Sequence, residues 1–248
     1  GVDIAFAHSI GVTMFAADCE AELDKIAEHA PGARVYIRLI VENSMADWPL
    51  TRKFGCAGSL LPSLLEYTKS VGLVPYGHDL HLLNIGGGFP AYHGDPVDAP
   101  RGYAAAVVAA VKERFGEIPV LMAEPGRGMV AEAGHIAAEV LLVSRKSAEA
   151  ARRWVYLDIG RFSGLAETEG EAIRYQFVTP HDGKPVGPCV LAGPSCDSAD
   201  VLYEKNPVDL PLDLRDGDKI MIKNCGAYTS SYSSVGFNGF PPLDVLVL

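Results

Sequence analysis

Four short stretches of the chain combine residue types that could do chemistry. In Ile85-Gly86-Gly87-Gly88-Phe89-Pro90, three residues without side chains follow an apolar run. Successive bare N–H groups can form a nest for an anion, usually a phosphate, although a tight turn needing positive φ has the same composition. In Glu124-Pro125-Gly126-Arg127, proline fixes a turn, glycine lets the backbone approach a ligand, and arginine offers a planar donor fork. Glu124 beside a cationic heterocycle could keep a ring nitrogen protonated. The plainer alternative is a surface Glu–Arg pair worth about 0–1 kcal/mol. Gly193-Pro194-Ser195-Cys196-Asp197-Ser198 places a thiol next to a carboxylate in a tight turn. Cys196 could donate a proton and Asp197 could anchor an ammonium group, or they could be a small hydrophobe and a turn former. Gly226-Ala227-Tyr228-Thr229 follows a β-type run, and the Tyr228 hydroxyl could reach a phosphate or simply stay wet at a strand end. Each stretch alone is ambiguous. The triple glycine followed one strand later by Glu124-Pro125-Gly126-Arg127 favours a phosphate-bearing cofactor.

The elements around these turns decide where they can sit. Val12 to Ala17, Arg34 to Val41, His81 to Ile85 and Val120 to Ala123 read as strands, and Glu20 to His29, Ser59 to Val71 and Tyr103 to Phe115 read as helices. Pro62 falls in the first turn of the second helix, and Gly72 follows its end. Strand–helix alternation favours a parallel α/β arrangement, in which chemistry gathers at strand C-termini. From about Val140 the pattern becomes all-β: Val140–Val143, Trp154–Leu157, Arg174–Phe177, Cys189–Leu191 and Lys219–Ile222 are short runs between Pro, Gly and Asp clusters. The expected division is therefore residues 1–139, an incomplete barrel domain, and residues 140–248, a C-terminal β domain. A complete (β/α)8 barrel takes about 250 residues, and only about 140 are available here. At Val74-Pro75-Tyr76-Gly77-His78-Asp79 a strand starts and gives way to the lead-in of the next one. Phe237-Asn238-Gly239-Phe240-Pro241-Pro242 reads as a hairpin or loop.

Bulk composition narrows the function. Of 248 residues, 48% are hydrophobic and 21% charged, which suits a globular protein with a sizeable core. A net charge of −10 disfavours nucleic acid and anionic membrane surfaces as partners. Five cysteines at irregular spacings form neither a disulfide framework nor a zinc motif, so a reducing, cytoplasmic setting is expected. His78, His81, His93 and His135 lack ligand spacing, and no metal is expected. No apolar run reaches membrane length, and the first residues are not a basic-then-apolar run.

Taken in order, these motifs resemble the fold-type III pyridoxal-phosphate-dependent decarboxylases, the alanine-racemase-like group, and within it the bacterial ornithine decarboxylases. The resemblance extends to Gly11–Ile40, Lys53-Phe54-Gly55, Val201-Leu202-Tyr203-Glu204 and Phe240-Pro241-Pro242. It implies a (β/α)8 barrel, here partial, followed by a β domain, with pyridoxal 5'-phosphate as cofactor. Gly87, Gly88, Pro125, Gly126, Arg127 and Tyr228 would hold the cofactor, mainly its phosphate, and Glu124 would pair with its ring nitrogen. Cys196 would protonate the substrate α-carbon after carbon dioxide leaves, and Asp197 would bind the distal ammonium of a basic amino acid. In the family this turn reaches into the neighbouring subunit's site, so the resemblance implies a homodimer with shared active sites. The expected reaction is L-ornithine to putrescine, in polyamine biosynthesis.

Three departures stand out. Nothing matches the family's cofactor lysine in its Tyr-Ala-x-Lys context, because Lys25, Lys53 and Lys69 stand in other contexts. The histidine that stacks on the cofactor belongs to a strand that would fall between Gly77 and His78. Both segments are expected to lie outside the sequence. Glu167 and Thr168 occupy the positions of a substrate-side Tyr-Asp pair, which leaves the preferred side-chain length open. A lysine/ornithine or diaminopimelate decarboxylase is the alternative, and Asp197 speaks against the latter, which usually has Glu there. A non-catalytic, antizyme-inhibitor-like binding protein is the reading from a different class.

Overall fold

The computed structural model describes residues 1–41, 53–75, 82–117 and 120–248. The chain packs as two compact units, one of Gly1–Gly86 with Pro100–Glu124 and one of Gly87–Ala99 with Pro125–Leu248. Two of the chain crossings fall within the chemistry-bearing turns, at Gly86/Gly87 and Glu124/Pro125.

The first unit carries α1 (Val2–Ser9), β1 (Met14–Ala17), α2 (Glu20–His29), β2 (Arg34–Ile37), α3 (Leu61–Ser70), β3 (Val74–Pro75), β4 (Leu82–Asn84), α4 (Pro100–Phe115) and β5 (Val120–Met122). β1, β2 and β3 form a parallel sheet in that order, and β4 and β5 form a separate parallel pair. The pattern of α2 explains its place: Leu23 and Ile26 lie on one face and are fully buried against Ala17, Val35 and Leu64. Each such side chain contributes about 1.5–3 kcal/mol. α3 has a proline in its first turn, and Gly72 beyond its end takes a φ of +77°. The strand expected from Arg34 to Val41 pairs regularly only to Ile37, beyond which Leu39 and Cys56 form an isolated bridge. At the junction after Val74, residues 76–81, including His78 and His81, lie outside the described residues.

The second unit carries α5 (Arg127–Val130), β6 (Ile136–Ser144), β7 (Arg153–Leu157), β8 (Gln176–Val178), β9 (Val186–Ala192), β10 (Val201–Leu202), β11 (Val208–Pro211) and β12 (Lys219–Lys223). Their order in the sheet is β10-β9-β7-β6-β12-β8, with β11 also on β9, and all pairs are antiparallel except β7 with β9. Alternation fixes the face: Ile136, Ala138 and Val140 of β6 and Ile220 and Ile222 of β12 point into the core. Residues 125–139, expected with the barrel part, pack in this unit. The cause is backbone pairing, with Gly226 N–H donating to the Ala131 carbonyl at 2.9 Å and Cys225 N–H to the Gly134 carbonyl at 2.7 Å.

Several elements of this unit differ from expectation. β6 begins at Ile136 because Ile136 to Glu139 pair with β12, overriding the low strand preference of two alanines. The run at Arg174 becomes a strand only at Gln176. Before it, Tyr175 N–H donates to the Tyr203 hydroxyl at 2.9 Å, and that hydroxyl donates to the Ile173 carbonyl at 3.0 Å. β10 and β11 lack a sequence signal, being two residues long and Asp/Pro-containing respectively. All five cysteines are free, with Cys56, Cys189 and Cys225 buried and Cys19 and Cys196 exposed. Among the described residues no helix is long and apolar enough to cross a membrane, and no His/Cys/Asp/Glu group could hold a metal ion.

Candidate functional site

In the first unit, two of the turns meet. β4 and β5 run parallel with Asn84 opposite Met122, so both strands end at the same level. The ladder continues past the strands, with Ile85 N–H donating to the Met122 carbonyl at 2.9 Å and Glu124 N–H to the Gly86 carbonyl at 2.8 Å. Asn84 ties both bends. Its amide donates to Glu124 Oε1 at 2.7 Å, and its Oδ1 accepts Gly86 N–H at 2.9 Å. The sequence did not single out Asn84, although its place at the strand end just before the glycines is the signal that could have. Gly86 and Gly88 have φ of +72° and +84°, which explains why glycine stands at both positions.

The second unit holds an anion cradle. Gly126, with φ +37°, has its α-carbon so close to Tyr228 that a Cβ would lie 2.9 Å from the tyrosine hydroxyl oxygen. Tyr228 itself sits at φ +55°, a left-handed conformation that is uncommon for an aromatic residue and clusters at functional sites. Its ring lies 5.2 Å below the Arg127 guanidinium carbon. Arg127 Nη2 donates to both oxygens of Glu167, at 2.7 and 2.6 Å, and Glu167 is 5% exposed. Arg127 Nη1 is buried with no protein partner. Behind the cradle, a Cβ on Gly128 would lie 2.9 Å from that of Phe89, so the residues after the triple glycine pack against α5. Gly226 is required too, since the Val130 carbonyl oxygen stands where a Cβ would go.

The thiol–carboxylate turn is held from below by Asp200, which is 2% exposed. Its carboxylate accepts Arg161 N–H at 2.7 Å, the Ser195 hydroxyl at 2.7 Å and Ser195 N–H at 3.2 Å. Gly160 and Gly193 make room for it, because a Cβ on either would run into the carboxylate. Asp197 Oδ1 accepts Ala199 N–H at 2.8 Å, which fixes the turn locally. The exposed Cys196 thiol lies 3.9 Å from Asn238 Oδ1, and the neighbouring Phe237 ring packs tilted against Phe162, with centroids 4.5 Å apart. The Phe237–Pro242 stretch, read from sequence only as a hairpin or loop, thus contains the short turn Phe237–Gly239 beside Cys196. Among the described residues no hydrogen bond or ion pair links Cys196 or Asp197 to Arg127 or Tyr228.

Two further groups surround Arg127. His93 has both ring nitrogens buried without partners, and its ring packs edge-on against Tyr175 at 5.5 Å. Burial, together with the nearby Arg127 charge, lowers its pKa and keeps the imidazole neutral. Burial likewise pushes the Tyr175 phenol far up. His135 is structural, its Nδ1 accepting Asn224 N–H at 3.3 Å.

A sequence profile of the family described as "Pyridoxal-dependent decarboxylase, C-terminal sheet domain" matches residues 14–226. The lysine/ornithine decarboxylase of Selenomonas ruminantium is 27% identical over 270 residues, covering 94% of this chain and 66% of the relative. Antizyme inhibitor 2 of Xenopus laevis is 27% identical over 284 residues, covering 96% of this chain and 61% of the relative. Among solved structures, the Paramecium bursaria Chlorella virus arginine decarboxylase bound to agmatine superposes with a TM-score of 0.82 at 25% identity, covering 96% of this chain and 73% of that one. The chain thus spans 66% and 61% of the length of these two curated relatives. It belongs to the pyridoxal-dependent decarboxylase family. The residues present fit the family's cofactor, because a buried, unpartnered arginine amino group beside a tyrosine hydroxyl is a donor set for a phosphate.

Proposed function

We propose that this chain is the greater part of a pyridoxal-phosphate-dependent decarboxylase of basic amino acids, with L-ornithine as the preferred substrate and putrescine as the product. The observation that carries the reading is the cradle of Gly126, Arg127 and Tyr228, with Arg127 Nη1 buried and without a hydrogen-bond partner. Bound pyridoxal phosphate supplies an electron-accepting ring that takes up the pair left when a carboxylate departs as carbon dioxide. Arg127, the Tyr228 hydroxyl and the backbone of Gly87 and Gly88 bind its phosphate. Glu124, steadied by Asn84, keeps a proton on its ring nitrogen. Cys196 delivers a proton to the carbon that lost carbon dioxide, and Asp197 pairs with the distal ammonium.

The exposed Cys196–Asp197 turn supports the further reading that it serves the site of a second copy, making the active form a homodimer. The first unit, with its parallel strands and helices, is read as part of a (β/α)8 barrel. Carbon dioxide release from ornithine, lysine, arginine and diaminopimelate tests the assignment. Ornithine is expected to give the largest kcat/KM, and release from diaminopimelate alone would overturn the substrate. Likeness to an antizyme inhibitor keeps a regulatory binding role as the second reading. Absence of any spectral change on adding pyridoxal phosphate to the protein would favour it.

A further inference from the structure

We infer that Glu167 is a positioning residue that aims Arg127 at the phosphate, an inference that rests on the cradle described above. Arg127 Nη2 donates to both carboxylate oxygens of Glu167, at 2.7 and 2.6 Å, so this amino group is committed to Glu167. The Tyr228 ring packs under the guanidinium, 5.2 Å from its carbon. With Nη2 committed to Glu167, Nη1 is the guanidinium nitrogen left buried without a hydrogen-bond partner. Glu167 is itself anchored through its backbone. Its carbonyl accepts Ile173 N–H at 3.1 Å, and the preceding Leu165, 1% exposed, is part of the β-unit core.

A carboxylate this close to an anion site opposes the anion by charge. Its position on Nη2, away from Nη1, makes orientation its contribution, and the two effects separate by substitution. Glu167→Asp keeps the charge and loses the reach, whereas Glu167→Gln keeps the reach and one acceptor and loses the charge. The experiment measures the affinity of the protein for pyridoxal 5'-phosphate and for pyridoxal by equilibrium dialysis, with near-ultraviolet circular dichroism confirming the fold of each variant. The ratio of the two affinities isolates the phosphate. It is expected to fall about tenfold in Glu167→Asp, the loss of a charge-assisted hydrogen bond, and to stay within about threefold of wild type in Glu167→Gln. An unchanged ratio in Glu167→Asp, or a ratio raised about tenfold in Glu167→Gln, would show Glu167 to be only a counter-charge and overturn the inference. If the wild-type protein binds pyridoxal as tightly as its phosphate ester, and Arg127→Gln changes nothing, the cradle itself is refuted and the inference with it.

Discussion

The backbone N–H of Glu124 donates to the Gly86 carbonyl at 2.8 Å, so the two glycine-containing bends are neighbours by main-chain pairing and owe nothing to side-chain chance. Asn84 reinforces the pair by bonding both bends. Asn84→Ala removes two bonds worth about 0.5–1.5 kcal/mol each, and Asn84→Asp adds a like charge against Glu124. Asn84→Asp keeps an acceptor for Gly86 N–H and is expected to weaken pyridoxal and pyridoxal phosphate binding alike, whereas Asn84→Ala also frees the glycine bend and is expected to weaken the phosphate ester more. Equal affinities in wild type and Asn84→Asp would show that Glu124 plays no part in cofactor binding.

Asp200 is expected to be a stability determinant as well as the support of Cys196. In Asp200→Ala, two N–H groups and a hydroxyl lose their acceptor, at about 1–3 kcal/mol for each one left unsatisfied, so the total loss should be at least about 3 kcal/mol if all three stay unsatisfied. Urea unfolding measures it, and a change below about 0.5 kcal/mol, within the range of ordinary surface substitutions, would contradict the role.

Cys196→Ala should leave carbon dioxide release detectable while the diamine gives way to misprotonated products. Chromatography of the amine and aldehyde fractions reads this directly. A product profile identical to wild type would remove Cys196 from proton delivery.

His93 predicts a pH dependence. Burial and the Arg127 charge lower its folded pKa below the ordinary value of about 6.5, so between the two values the unfolded chain binds more protons. Its contribution is complete above about pH 6.5 and is lost as pH falls through the folded value. Asp218 acts lower. Burial raises its pKa, but the Arg215 N–H and His181 bonds outweigh burial and leave it depressed, so its contribution is lost only as pH falls below about 3.9. Thermal melts from pH 8 to 5 should lose stability in wild type and flatten in His93→Gln. Parallel curves would exclude His93 as the titrating group.

Much of this site was legible in the sequence because its turns are written in residues with few conformational options. Gly86, Gly126 and Gly193 are glycine for reasons visible in the fold: positive φ at the first two and a buried carboxylate against the third. The strands and helices of strong period, such as Glu20–His29 and Lys219–Lys223, were equally readable. Asn84, Glu167 and Asp200 were not recognised as supports, because what identifies them is a partner distant in sequence. Glu167 is 40 positions from Arg127, and Asp200 is 39 from Arg161. No local pattern encodes such pairings. The short β10 and β11 are likewise products of β9, whose edge opposite β7 takes both.

The distribution of thiols has a practical outcome. Burial pushes the Cys56 and Cys189 thiols up and the Cys225 thiol up to about 12, so all three stay protonated and shielded at neutral pH. Cys19 and Cys196 alone face solvent. An alkylating probe should therefore tag two peptides of the folded chain, one of them carrying the proposed proton donor. Protection of that peptide by a bound diamine would turn a mass spectrum into an occupancy gauge.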